Sequence, residues 1–75
     1  MDGAIINSNL LKSRMALHGV ATKDLASAQG WSPATANRKI TGKTAFTAPE
    51  IQVCVKLLNL DSATASEIFF AENVS

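Results

Sequence analysis

The chain contains no tyrosine, and it has only one tryptophan, one cysteine and one histidine. A single cysteine, Cys54, cannot form an intramolecular disulfide, and a single histidine, His18, supplies too few ligands for a familiar zinc site. We also find no carboxylate pair, no serine–histidine arrangement and no glycine-rich phosphate loop in the sequence. We therefore expect a reduced protein that binds no metal, cofactor or small-molecule substrate and is not an enzyme.

Long hydrophobic runs are missing as well. No uncharged stretch approaches the ~20 apolar residues of a membrane span, and Asp2 lies where a secretion signal carries positive charge. We therefore expect a cytoplasmic protein that does not contact membranes. The 75 residues suffice for a single domain, 1–75, which is 47% hydrophobic but only 5% aromatic. An interior filled with aliphatic side chains favours an all-α fold.

Glycine, proline and capping residues divide the chain into five predicted helices, preceded by a loose arm at residues 1–7. The predicted starts are Ser8 or Asn9, Thr22, Ser32, Thr47, and Asp61 or Ser62. The predicted ends are His18, Gly30, Gly42, Asn59 and the run Ile68–Phe70. His18 is interpreted as a residue at a helix end, and Cys54 as a buried, inert thiol on the core face of the fourth helix.

The second and third helices are predicted to form a helix-turn-helix over roughly residues 22–42. Only two residues separate Gly30, the predicted stop of the second helix, from Pro33, the first residue of the third. So short a connection predicts a steep crossing, and Ala26 and Ala36 supply the small side chains that a close approach needs. A plain helical corner in a small bundle is the alternative.

Positive charge is concentrated in the same part of the chain, although the formal net charge is only +1. The cations of residues 23–43 are Lys23, Arg38, Lys39 and Lys43. Against them stands a single carboxylate, that of Asp24. One face of the protein can therefore be basic while the whole is nearly neutral, and the local field is what attracts phosphate. A scatter of solvated surface charges is the alternative.

The third helix divides into two faces at about 100° per residue. Ala36 and Ile40 lie one turn apart and are predicted to face the core. Ala34, Asn37 and Arg38 fall on the opposite side or its flank. Arginine can bond two acceptors on guanine, asparagine can pair with adenine, and alanine can touch a thymine methyl group. This pattern predicts a face that reads bases in the major groove, with an ordinary solvated helix face as the alternative.

Other polar residues at the flanks and ends of these helices suit contacts with DNA phosphates. They are Thr22, Lys23, Thr35, Lys39 and Lys43. For any one of these lysines, an exposed surface residue without a DNA contact is the alternative.

Residues 22–47, with the sequence TKDLASAQGWSPATANRKITGKTAFT, resemble a known protein family in the order of their residues. A threonine and Leu-Ala open its second helix, a glycine ends that helix, and a serine begins the next. A basic pair, then Gly-Lys and Phe-Thr, lead into the fourth helix. In these features the chain resembles short phage Cro-like regulators, within the Cro and repressor superfamily of helix-turn-helix proteins. The resemblance covers nearly the whole chain, from Leu11 to Phe70.

This resemblance implies a compact five-helix, lambda-repressor-like DNA-binding domain with a helix-turn-helix. It implies a sequence-specific regulator that binds a double-stranded DNA operator and represses by occluding a promoter. Ser32, Ala34 and Arg38 would face bases. The residues that would approach the DNA backbone are Thr22, Lys23, Lys39 and Lys43.

Two residues depart from the usual pattern of these regulators. Gln29 and Ala36 occupy positions that commonly hold larger aliphatic side chains. Trp31 is expected to fill the space that they leave.

A homodimer is expected, formed either in solution or only on DNA, because one recognition helix touches too few base pairs to select a site. The predicted contact is the apolar run Ile68, Phe69 and Phe70, of which a short helix can bury only part. In the alternative, all three fold back onto their own subunit.

A different class of function is also open. The helical corner would then bind a protein, as in an antirepressor-binding or antitoxin-type module. Ionic strength separates the two, because phosphate neutralisation makes DNA affinity fall steeply with salt, whereas an apolar protein interface changes little.

Overall fold

Five α-helices make up the chain in the computed structural model, which describes residues 6–70. They are α1 (Ser8–Leu17), α2 (Thr22–Gln29), α3 (Pro33–Ile40), α4 (Ala48–Leu57) and α5 (Ser62–Phe69). Within residues 6–70 there is no β-strand, so the prediction of an all-α fold with five helices is confirmed. None of these helices has the length and apolar character needed to cross a bilayer.

The helices pack into a compact unit with a radius of gyration of 11.2 Å. α2 packs against both α3 and α4, while α1 packs against α3 and α5. α3 therefore lies between α1 and α2, with one side against the protein and the other left open.

Side-chain caps fix where α3 and α4 begin. The Ser32 hydroxyl accepts a hydrogen bond from the Thr35 N–H at 3.2 Å, and Pro33 occupies the first position of α3, as predicted. The predicted capping box of α4 is also confirmed. The Thr47 N–H donates to the Glu50 carboxylate at 2.9 Å, and the Glu50 N–H donates back to the Thr47 hydroxyl.

Two predicted helix starts are wrong by one or two residues. The cap of α1 is Asn7 rather than Ser8 or Asn9, because the Asn7 Oδ1 accepts from the N–H three residues along, at 3.1 Å. The residue that precedes α2 is Ala21 rather than Thr22. Ala21 has extended dihedral angles, and its N–H donates to the carboxylate three residues along at 2.9 Å. Thr22 is therefore the first residue inside the helix.

Residues 6 and 7 belong to the packed unit, which corrects the loose arm predicted for residues 1–7. Ile6 is buried, and the Asn7 N–H donates to the Ile68 carbonyl oxygen at 2.8 Å. This hydrogen bond ties the start of α1 to the end of α5. The rest of the predicted arm, residues 1–5, lies outside the described residues.

The core is aliphatic with two phenylalanine rings at one end, as the composition predicted. Its hydrophobic members are Ile6, Leu11, Met15, Leu25, Ala26, Ala36, Ile40, Phe46, Cys54, Leu58, Ile68 and Phe69. The Phe46 and Phe69 rings meet edge to face with their centroids 5.0 Å apart. Phe46 follows α3 and Phe69 ends α5, so this contact joins the two halves of the chain.

Candidate nucleic-acid interface

The connection between α2 and α3 is built as the sequence predicted. Gly30 has a φ of 77°, in the left-handed region that glycine enters without a steric penalty. The next residue, Trp31, donates its N–H to the Ala26 carbonyl oxygen at 2.8 Å, which satisfies the end of α2. Ala26 and Ala36 are both buried, so small side chains lie where α2 and α3 pack together.

The predicted division of α3 into two faces agrees with its burial. Ala36 is fully buried and Ile40 is 3% exposed. Ala34, Asn37 and Arg38 are exposed, as is the capping residue Ser32. Thr35 is half-buried, and its Oγ1 accepts a hydrogen bond from the Ser32 hydroxyl at 3.1 Å. The four predicted base-reading residues therefore share one exposed surface, which we call the α3 outer face (Ser32, Ala34, Asn37 and Arg38).

The loop after α3 holds Lys43 beside the α3 outer face. The N–H groups of Lys43 and Thr44 both donate to the Arg38 carbonyl oxygen, at 2.9 and 3.3 Å. The Lys43 backbone is thereby fixed just beyond the last turn of α3, and its side chain is exposed. Gly42, with a φ of 85°, allows the chain to turn at this point.

A groove beside α3 brings together residues from three helices. Its volume is about 380 Å³, and its lining includes Lys12 of α1, Thr22 of α2 and Asn37 of α3. Thr22 and Lys23 are both exposed in the first turn of α2, and Thr22 shares the groove with Asn37 of the α3 outer face. Lys12 was missed by the sequence interpretation. The available signal was its spacing, since Lys12 precedes the buried Met15 by three residues and so borders the core face of α1.

Lys39 lies in a different environment from the other predicted phosphate contacts, and that expectation is corrected. Its ammonium group is 2.8 Å from the Glu50 Oε1 and donates to the Ala45 carbonyl oxygen at 2.8 Å. The residue is only 8% exposed, and the ammonium lies 5.3 Å from the centroid of the Trp31 ring. Helical spacing could have predicted the burial of Lys39, though not its partner, because Lys39 falls about 60° from the inward direction of Ala36.

Gln29 and Glu50 were also missed as parts of this region. The Gln29 Nε2 donates to the Glu50 carbonyl oxygen at 2.9 Å and links α2 to α4. Burial acts to raise the pKa of Glu50, but hydrogen bonds from Lys39 and the Thr47 N–H outweigh it and hold the pKa below its usual 4.5. The Glu50 carboxylate is therefore ionised at neutral pH, opposite a lysine.

Trp31 packs partly on the core, where its ring meets the Phe46 ring edge to face with centroids 5.8 Å apart. It is half-buried rather than enclosed. The Lys39 ammonium lies 5.3 Å from the centroid of the Trp31 ring, a contact that the sequence did not predict.

The predicted dimer contact is corrected for two of its three residues. Ile68 is fully buried and Phe69 is 1% exposed, so both belong to the core of their own subunit. Phe70 remains 46% exposed at the end of α5. The short helix buries part of the run, and one aromatic side chain is left at the surface.

The two residues that composition singled out lie in opposite environments, one exposed and one buried. His18 is exposed and follows the last residue of α1. Cys54 is fully buried, and burial raises its pKa to about 11, although the Gln29 Nε2 3.6 Å from the sulfur acts in the opposite direction. Cys54 is therefore a neutral thiol at physiological pH.

Comparison with protein-family models, with curated proteins and with solved structures finds no match to this chain.

Proposed function

We propose that this protein is a sequence-specific regulator that binds double-stranded DNA through a helix-turn-helix, with α3 as the recognition helix. The observation that carries the proposal is the α3 outer face. This face is exposed and lies opposite a fully buried alanine, Ala36. Its side chains are short, apart from that of Arg38. A face of this kind fits the width of the major groove and offers groups that distinguish base pairs.

We infer specific roles from the chemistry of the exposed side chains. Arg38 bonds guanine, Asn37 bonds adenine and Ala34 contacts a thymine methyl group. Ser32 sits at the end of α3 that enters the groove first. The Thr35 side chain, which is half-buried on the flank of α3, would contact the phosphate backbone.

Phosphate contacts surround this face. Thr22 and Lys23 lie in the first turn of α2, Lys43 lies past the end of α3, and Lys12 lines the same groove as Asn37. Lys39 is not one of these phosphate contacts, because its ammonium group already forms an ion pair with Glu50. Contacts on both sides of α3 fix the register of the protein on the duplex.

Repression of transcription by occupation of an operator is the biological role that we propose. A homodimer would double the number of base pairs read, and Phe70 is the member of the predicted contact that remains at the surface. Such a dimer favours an operator with two-fold symmetry and half-sites about one helical turn apart.

Fluorescence anisotropy with labelled duplexes tests the proposal. We expect non-specific binding in the micromolar range and tighter binding to a site selected from a random pool. The three lysines Lys12, Lys23 and Lys43 predict that log K on non-specific DNA falls with log salt at a slope of about −2.7 per subunit. No binding to any duplex at low salt would contradict the proposal and favour the protein-interaction module instead.

A further inference from the structure

Glu50 is the junction of three helices. Its carboxylate accepts from the Lys39 Nζ of α3 at 2.8 Å and from the N–H of Thr47, its own capping partner, at 2.9 Å. Its backbone carbonyl oxygen accepts from the Gln29 Nε2 of α2 at 2.9 Å. The last residue of α2, the last turn of α3 and the first turn of α4 therefore meet at one residue. We call this set the Glu50 junction (Gln29, Lys39, Thr47 and Glu50).

The Lys39 ammonium is held on several sides. Besides Glu50, it donates to the Ala45 carbonyl oxygen at 2.8 Å, and it lies 5.3 and 6.0 Å from the centroids of the Trp31 and Phe46 rings. Among the described residues, no buried side-chain nitrogen or oxygen lacks a hydrogen-bond partner. Moving Lys39 to a DNA phosphate would leave the Glu50 carboxylate without its cation, which is unfavourable at a partly buried site.

The packing of α3 gives this junction its importance. α3 has only eight residues, and of its three buried side chains, those of Ala36, Lys39 and Ile40, the first is only a methyl group. A small side chain permits close approach but does little to fix the rotation of one helix on the other. Base recognition requires that side chains be held within about 0.5 Å and 10–20° of their productive geometry. Directional hydrogen bonds at the Glu50 junction supply that constraint.

We propose that Glu50 is a positioning residue for DNA recognition, which through Lys39 and Gln29 fixes the orientation of the α3 outer face without touching DNA. This inference rests on the proposed function. Lys39 then contributes to the preference for the specific site over other DNA and does not neutralise a phosphate.

The test compares Lys39→Met with Lys43→Met on two duplexes, the selected site and a scrambled duplex of the same length and composition. For Lys39→Met we expect an unchanged salt slope on the scrambled duplex and a fall of about fivefold or more in the ratio of specific to non-specific affinity, as for the loss of one base contact. For Lys43→Met we expect the salt slope to shrink by about 0.9, with both affinities reduced alike.

Circular dichroism at the assay temperature establishes that the variants are folded. If Lys39→Met does not fold, Gln29→Met is the variant that tests the inference. It keeps the Lys39–Glu50 ion pair and removes only the hydrogen bond that links α2 to α4. Gln29→Met is expected to lower the affinity ratio in the same way. A merely structural role would reduce the free energy of unfolding but leave the ratio of the folded variant unchanged.

Three results would overturn the inference, and they are distinguishable. Lys39→Met behaving like Lys43→Met would make Lys39 a phosphate contact. An unchanged affinity ratio in a folded variant, beside normal specific binding by the wild type, would remove the positioning role alone. Absence of duplex binding by the wild type would overturn the proposed function and this inference with it.

Discussion

Replacement of Arg38 by alanine separates recognition from folding on the α3 outer face. The Arg38 side chain is exposed, and alanine is the best helix former, so α3 should persist. The bonds from the Lys43 and Thr44 N–H groups go to the Arg38 backbone carbonyl and survive the change. We therefore expect the free energy of unfolding to change by no more than about 0.5 kcal/mol.

The effect on binding should be much larger. A bidentate contact between arginine and guanine contributes about 1–3 kcal/mol of discrimination, which corresponds to a loss of about 5-fold to 150-fold at the selected site. Anisotropy at a fixed salt concentration measures this loss, and site selection with Arg38→Ala should show one relaxed base position. The matched control is Lys56→Ala, which removes an exposed cation from α4. If Arg38→Ala keeps both its affinity and its consensus, the wrong face of the protein has been assigned to DNA.

Two further predictions concern assembly and acid stability. Phe70→Ser should weaken self-association in sedimentation experiments. The control is Leu17→Ser, which removes a more exposed apolar side chain at the other end of α1 from the Asn7–Ile68 hydrogen bond and should have no such effect; equal effects would remove Phe70 from the interface. Because the folded-state pKa of Glu50 lies below its usual 4.5, its stabilisation is fully present above pH 4.5 and is lost as the pH falls through that lower value. Urea unfolding should therefore show a smaller acid-induced loss of stability for Glu50→Gln than for the wild type, and parallel profiles would show that the carboxylate contributes nothing.

Local signals in the sequence predicted most of the fold. The starts of α3 and α4 depend on side chains that bond backbone groups three residues away, so Ser32 and the pair Thr47 and Glu50 are sufficient to identify them. The start of α2 was predicted one residue too late, because Ala21, the residue that precedes the helix, has no side-chain hydrogen-bond acceptor. There the carboxylate of Asp24 marks the helix start by accepting the Ala21 N–H.

The candidate site was predicted less completely, because parts of it depend on contacts between distant residues. The two faces of α3 follow from helical spacing alone. The partner of Lys39, in contrast, is 11 residues away and that of Gln29 is 21 residues away, and composition and spacing contain no information about either pair. Ile68 and Phe69 were assigned to a partner subunit because the sequence does not show how much core α1 and α4 leave to be filled.

The sole tryptophan stands at the corner between α2 and α3, with the Lys39 ammonium near its ring and the Phe46 ring against its edge. Indole fluorescence depends on nearby charge and on exposure to water, and this chain has no second tryptophan and no tyrosine to contribute to the emission. The intrinsic fluorescence of the unlabelled protein therefore monitors a single position, the connection between α2 and α3. Spectroscopy can follow the opening of that connection separately from the melting of the helices, which circular dichroism records for the whole chain.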